Sequence, residues 1–236
     1  MRRFLTFDDV GLVPKFNKIA SRLHTNIVTQ LGRDTYKSPF IPANMDSVIG
    51  PNLASICSKR GAPIIFHRFA PIEDQVRWAL AYPEAYMSLG VQESFKNLDK
   101  LYEIGCRRFC IDIAHGHSQV VIDIIKTLKE TDKDIQIIAG NVCTYEGVMD
   151  LAKAGADIVK VGVGPGAACI TRMMTGFGVP QFSAIRECSY AKNDLFNGKN
   201  IKVHLIADGG IKHPRDAVLA LAAGADAVMM LSLIHI

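Results

Sequence analysis

Asp157-Ile158-Val159-Lys160-Val161, running into Gly162-Val163-Gly164-Pro165-Gly166-Ala167-Ala168-Cys169-Ile170-Thr171-Arg172, decides how this chain is read. The first five residues form an apolar run of strand length, continuous enough for a strand buried on both faces. Three glycines follow and free the backbone from the limits a Cβ imposes, so the chain can pass close to a ligand. A cysteine and a threonine, two positions apart, stand at the far end of the loop. Parallel barrels carry their reactive groups on loops at the C-terminal ends of strands, which makes Cys169 a candidate nucleophile. Cys169 also stands just ahead of a predicted helix, whose dipole favours a thiolate. Thr171 is placed to orient water or relay a proton, and serves equally well as a backbone partner.

The approach to this strand has a second copy. Ala154-Gly155-Ala156-Asp157 and Ala223-Gly224-Ala225-Asp226 each set a glycine just past a helix and then begin a strand. Outward from these joints, short apolar runs predict strands at 40–43, 63–67, 86–91, 108–114, 136–140, 157–163, 203–207 and 227–230. Helical periodicity lies between them, at 52–60, 72–81, 95–104, 118–128 and 145–154. Strands alternating with helices make parallel βα units, and eight of them in 236 residues predict an α/β fold, a single (β/α)8 TIM-barrel domain over 1–236. Residues 1–38 carry little periodicity and read as an N-terminal extension with turns at Val13-Pro14-Lys15 and Gly32. Leu231–Ile236 is too short for the helix that should cover the eighth strand, so the barrel is expected to be incomplete at its C-terminus.

Composition narrows the class. Hydrophobic residues make up 49% and charged residues 21%, which suits a soluble protein with a large core. The net charge of +4 is spread over scattered Lys and Arg, so no basic face for nucleic acid is expected. Six cysteines without a CxxC read as reduced, mostly buried thiols. The N-terminus lacks a signal-peptide core and no run reaches transmembrane length, so no membrane association and a cytoplasmic location are expected.

Polar residues gather where the strands should end: Asn44-Met45-Asp46, His67-Arg68, Asp112 with His115, Asn141, the 162–172 loop and Asp208-Gly209-Gly210. The opposite ends read as plain helix-to-strand joints. Asp208-Gly209-Gly210 is either a simple turn or a phosphate site of glycine amides near a helix N-terminus, with a carboxylate suited to ribose hydroxyls. Gly162, Gly164 and Ala167 also fit G-x-G-x-x-A, but Pro165 interrupts it and no acid-ended strand follows in place. His115-Gly116-His117 lacks a third metal ligand and reads as a loop.

Together, Phe7-Asp8-Asp9-Val10, Ala43-Asn44-Met45-Asp46, Asp112-Ile113-Ala114-His115-Gly116, Ala139-Gly140-Asn141-Val142, the 162–172 loop and Ala207-Asp208-Gly209-Gly210 resemble the IMP dehydrogenase/GMP reductase family. The segment after His67-Arg68 carries no inserted regulatory module, and Thr175-Gly176-Phe177-Gly178 is similar to the reductase form. The resemblance implies NADPH-dependent reductive deamination of GMP to IMP and ammonia. Cys169 would attack purine C2, Thr171 would assist proton transfer to the leaving amine, and a hydride would reduce the thioimidate. It further implies that Asp208, Gly209, Gly210 and Ser232 hold ribose and phosphate and that Met45 packs near the base. Ser21, Arg22, Arg68, Asp112, Ile113, Ala114, Val163 and Gly164 would meet the cofactor. Carbonyls of Gly164, Gly166, Cys169 and Arg172 would hold a monovalent cation (K+), in a homotetramer. Two departures stand out: Leu231 replaces a glycine of the phosphate cradle, and the family's catalytic flap and last helix are missing. Alternatives are IMP dehydrogenase, oxidising IMP to XMP with NAD, a non-catalytic nucleotide-binding fragment, and an aldolase-like lyase, for which only Lys160 offers a Schiff base.

Overall fold

The computed structural model describes residues 3–91, 94–167 and 169–231, with backbone only at 94–96. A hairpin, β1 (Thr29–Leu31) and β2 (Asp34–Tyr36), precedes eight parallel strands: β3 (Phe40–Pro42), β4 (Ile65–Phe66), β5 (Tyr86–Leu89), β6 (Arg108–Asp112), β7 (Gln136–Val142), β8 (Ile158–Val161), β9 (His204–Asp208) and β10 (Ala227–Met230). Helices α1 (Pro51–Arg60), α2 (Ile72–Ala81), α3 (Ser94–Glu103), α4 (Gln119–Thr131) and α5 (Tyr145–Ala154) occupy the first crossovers. The short α6 (Thr171–Thr175), the long α7 (Gln181–Lys199) and α8 (Pro214–Ala222) follow. Neighbours run β4 through β10 in chain order, and β10 then pairs with β3. The sheet is thus a barrel closed except at the seam between β3 and β4, where no ladder is formed among the described residues. This sequential order also disposes of the dinucleotide-fold reading of the glycine loop. None of the described helices is long and apolar enough to cross a membrane.

Alternation along each strand divides the core in two. Val159 and Val161 of β8 face the helices, as do Phe109 and Ile111 of β6 and Leu205 and Ala207 of β9. Cys110, Ile158 and Ile206, one residue out of phase, fill the barrel interior. Side chains two residues further on from these point the same way, so the same count sends Asp112, Lys160 and Asp208 to the inner face at the C-terminal mouth.

The strands were expected where they occur, with ends shifted by a few residues. The N-terminal expectation needs correction, since 29–36 forms a hairpin turning at Gly32-Arg33 with Thr29 opposite Tyr36. Gly32 has φ 59°, open to glycine at no steric cost. Leu31 and Tyr36 bury into the interior cluster and plug the bottom of the barrel. Nor are the bottom ends plain joints. Gly32 N–H donates to His204 Nδ1 at 3.0 Å, and Arg33 N–H donates to Gln136 Oε1 at 2.9 Å. Gln136 Nε2 donates in turn to Asp34 at 3.0 Å, and Arg108 grips the same carboxylate at 3.1 and 2.9 Å.

The repeated Ala-Gly-Ala-Asp joints are the same device used twice. Gly155 and Gly224 take φ 118° and 117°. Asp157 then accepts from Ile137 N–H and Lys129 Nζ, both at 2.8 Å, while Asp226 accepts from Leu205 N–H and Lys192 Nζ, both at 2.7 Å. Each aspartate therefore ties its own strand to the start of the preceding one and to the helix that leads into that preceding strand, α4 for Asp157 and α7 for Asp226.

His204 links this plug to pH. Burial holds its pKa below the ordinary value of 6.5, with Lys202 and Lys192 adding to the effect and Asp226 and Asp157 opposing it. Its Nδ1 must stay unprotonated to accept from Gly32 N–H. The unfolded chain therefore takes the proton first, and the stabilisation is complete above the unfolded pKa and lost as pH falls through the lowered folded one. Denaturant melts at stepped pH should show stability declining below about pH 6.5, with a shallower decline in His204→Asn.

Candidate active site

Asp112, Lys160 and Asp208 meet at the mouth, one from each of β6, β8 and β9. Lys160 Nζ lies 2.7 Å from Asp112 Oδ1 and 2.8 Å from Asp208 Oδ2, with only 3% of its side chain exposed. Asn44 Nδ2 donates to Asp112 Oδ2 and to Ser88 Oγ, both at 3.0 Å. Asn141 Nδ2 donates to Asp208 Oδ2 and to Gly162 O, both at 2.8 Å. Burial would strip the proton from Lys160, but the charges of Asp208 and Asp112 outweigh it and hold the ammonium well above the ordinary lysine range. A permanently protonated amine is no Schiff-base nucleophile, so the lyase reading of Lys160 falls. Burial pushes Asp112 upward, yet Lys160, the Asn44 hydrogen bond and the charge of Arg68 bring its pKa below the usual carboxylate value.

The glycine loop leaves β8 against the end of β9. A Cβ at Gly162 (φ 152°) would run into the carbonyl oxygen of Asp208. Gln181, 3% exposed, bridges the two strand ends from behind, donating to Val161 O at 2.8 Å and Asp208 O at 3.1 Å. At the loop's far end the Thr171 hydroxyl hydrogen-bonds to Cys169, which lowers the thiol's pKa; burial opposes this, and the N–H groups of Thr171 and Gly164 reinforce it. The expected helix effect thus resolves into a contact with the first amide of α6.

Cys169 opens on a cleft of about 400 Å³ that Met45, Asp208, Gly209 and Gly210 also line. These five sequence-picked residues are therefore brought together. Leu231 lines the same cleft, while Ser232 lies outside the described residues. His117 Nε2 pairs with Asp150 at 2.9 Å, and no His/Cys/Asp/Glu cluster among the described residues is arranged to hold a metal ion.

The profile of the IMP dehydrogenase / GMP reductase domain matches residues 4–81 and 85–235. The chain belongs to this family. A protein named GMP reductase from Lactobacillus delbrueckii subsp. bulgaricus is 40% identical over 97% of the chain and 69% of its own length. An inosine-5'-monophosphate dehydrogenase from Chlorobaculum tepidum is 49% identical over 58% of the chain and 26% of its own length. The crystal structure of the inosine 5' monophosphate dehydrogenase from Legionella pneumophila superposes with a TM-score of 0.86 at 36% identity, covering 99% of the chain and 70% of that one.

The remaining residues picked out by the family resemblance fall into groups. Arg68 is exposed, stands over Phe69 at 4.5 Å and acts electrostatically on Asp112, so these two share one side of the mouth. Ile113 is tied by its backbone to Gly140 and Asn141, with Ala114 exposed beside it. Val163 is buried, and its carbonyl accepts from Val179 N–H. Ser21 caps the turn Arg22–His24 in the N-terminal arm, and neither Ser21 nor Arg22 lines the cleft. The carbonyls of Gly166 and Arg172 accept from Cys169 and Gly176 N–H, and each keeps a second lone pair. Asn44 and Asn141 were expected at the mouth and Lys160 only as a Schiff-base candidate; that the three join Asp112 and Asp208 in one ion-paired, hydrogen-bonded group was not anticipated. The period-two count along β8 was the signal that would have found the lysine.

Two outcomes follow from this geometry. Iodoacetamide at about pH 7 should label Cys169 ahead of the other five thiols, by peptide mass spectrometry, and Thr171→Val should slow that labelling several-fold. Lys160→Met leaves two partly buried carboxylates facing each other and should cost about 3–5 kcal/mol in a urea melt.

Proposed function

We propose that this chain is a GMP reductase, converting GMP to IMP and ammonia with NADPH. The observation that carries the reading is the hydrogen-bonded, acid-shifted Cys169 opening on the same cleft as Asp208, Gly209 and Gly210. It is supported by the reductase-named relatives, which align over almost the whole chain.

In this reading the Cys169 thiolate attacks C2 of the purine, the C2–N bond breaks, and the amine departs as ammonia after taking a proton relayed by Thr171. The resulting C2–S thioimidate splits a difficult substitution into two easier steps. NADPH supplies a hydride to C2, whereupon the C2–S bond breaks, the thiolate is regenerated and IMP is released. Overall, GMP, NADPH and two protons give IMP, NADP+ and ammonium. Asp208 holds the ribose hydroxyls and Met45 lies along the base. Arg68 is a cation suited to cofactor phosphate, with Asp112 beside it on the cofactor side of the mouth. The neutral carbonyls of Gly164, Gly166, Cys169 and Arg172 suit a hard monovalent cation such as K+ that shapes the loop. We place the enzyme in the cytoplasm as a homotetramer.

A second reading rests on the 49% identity to a dehydrogenase over part of the chain. The same cysteine would there serve oxidation of IMP to XMP with NAD. Purified protein is expected to consume NADPH only when GMP is present, releasing ammonia, and Cys169→Ser should abolish the signal. Robust IMP-dependent NADH formation without that reaction would sink the reductase assignment. GMP binding with neither turnover would leave a nucleotide-binding protein.

A further inference from the structure

At the foot of the barrel, at the opposite end of the strands from the cleft, a recess of about 350 Å³ opens between α7, the hairpin and the starts of β9 and β10. Gln30, Lys192, Phe196, Lys202, His204 and Asp226 line it. The proposed reaction makes no use of it.

Its two lysines are not equivalent. Lys192 Nζ lies 2.7 Å from both oxygens of Asp226, and Asp226 also accepts from Leu205 N–H, so that pair is closed on itself. Lys202 reaches from the start of β9 to the hairpin, where its Nζ donates to Gln30 Oε1 at 2.6 Å. This acceptor is neutral and lines the same recess, so it fixes the ammonium at the rim without compensating its charge. No carboxylate among the described residues pairs with Lys202, and two of its three N–H groups remain to be used.

His204, 5% exposed, adds a second donor. Its Nδ1 accepts from Gly32 N–H, so the neutral ring carries its hydrogen on Nε2. Burial, with Lys202 and Lys192 adding to it and Asp226 and Asp157 opposing, keeps the ring neutral. Nε2 has no hydrogen-bond partner among the described residues, yet it is not among the polar atoms sealed from solvent. It therefore reaches the open space that the residue borders, which is this recess. The ring of Phe196, 56% exposed, forms an apolar wall of the same space.

We propose that this recess is a binding site for a singly charged carboxylate carried on a flat ring, with His204 Nε2–H and Lys202 Nζ holding the carboxylate and Phe196 lying against the ring. One negative charge matches the one uncompensated cation. A dianion would need His204 to take a proton, and the Gly32 contact forbids that at Nδ1. Two carboxylate oxygens serve two donors from different elements, and an aromatic wall favours a planar body. Gln30 and Gly32 belong to the hairpin, so an occupant fastens the hairpin to α7 and β9 and stabilises the folded chain.

This site is independent of the proposed reaction, and its test is too. Benzoate is the probe, compared with benzamide (the ring without the charge), acetate (the charge without the ring) and inorganic phosphate. Each is titrated into the whole chain carrying 15N-histidine, with the His204 signals assigned by their loss in His204→Asn. Benzoate should bind with a Kd on the order of 1 mM, as suits so small a ligand, shifting the His204 ring nitrogens and raising the urea midpoint. Acetate and benzamide should bind at least about tenfold more weakly. Lys202 and Phe196 are exposed, so their variants are expected to fold. Lys202→Met should weaken benzoate about tenfold and leave benzamide unchanged, while Phe196→Ala should weaken benzoate several-fold and leave acetate unchanged. Saturating GMP should leave the benzoate shifts in place. Absence of a shift at His204, wild-type benzoate affinity in Lys202→Met, tighter binding of phosphate or benzamide than of benzoate, or displacement by GMP each overturns the site and leaves the proposed enzyme standing. Absence of turnover with GMP or IMP overturns the enzyme and leaves the site standing.

Discussion

A lysine ammonium almost wholly removed from water sits between two carboxylates at the mouth of the barrel, and the candidate site is arranged around it. Taking Lys160 out of solvent is costly, and a single partner with imperfect geometry would not recover that cost. Two carboxylates at ion-pairing distance do, and each needs its own orientation fixed by a second donor. Asn44 provides it for Asp112 and Asn141 for Asp208. The top layer of the barrel is therefore a closed set of charges and amides, where the layer directly beneath it, Cys110, Ile138, Ile158 and Ile206, is apolar. Its effect is to fix the Asp208 carboxyl group at the edge of the cleft without a searching motion.

The cleft divides its work among loops from different strands. The β8 loop brings the sulfur and its hydrogen-bond donors, and the β9 loop brings the carboxylate and the glycine amides. Gln181, from α7, hydrogen-bonds to the backbone of both loops' roots. Gly162 has to be glycine because the two strand ends pass within contact distance there. The register of the reactive thiol against Asp208 is thereby set by backbone contacts, which side-chain substitutions in the cleft leave in place.

Much of this was legible in the sequence, for a physical reason. Parallel strands buried on both faces are continuous apolar runs, and helices covering them have an unmistakable periodicity. Ile158-Val159-Lys160-Val161 is a case where the run hid something. One lysine among branched aliphatics looks like an interruption until alternate residues are assigned to alternate faces. The hairpin at 29–36 escaped because its three-residue strands contribute only Leu31 and Tyr36 to the buried cluster, too few for any period. Arg108, Gln136 and His204 looked like ordinary strand-start residues because their partner, the hairpin, had not been recognised.

The plug at the foot of the barrel bears on how the chain reaches this state. Gly32 meets His204 across 172 residues and Thr29 meets Asp226 across 197, so a segment made near the start of synthesis has its partners near the end. Loop closure over such spans brings an entropic cost before any contact rewards it, and these are among the least local contacts in the chain. Until β9 and β10 exist, Leu31 and Tyr36 have only part of their pocket. The hairpin thus works as a latch on assembly order, setting the apolar floor only once the last strands have come round to the first.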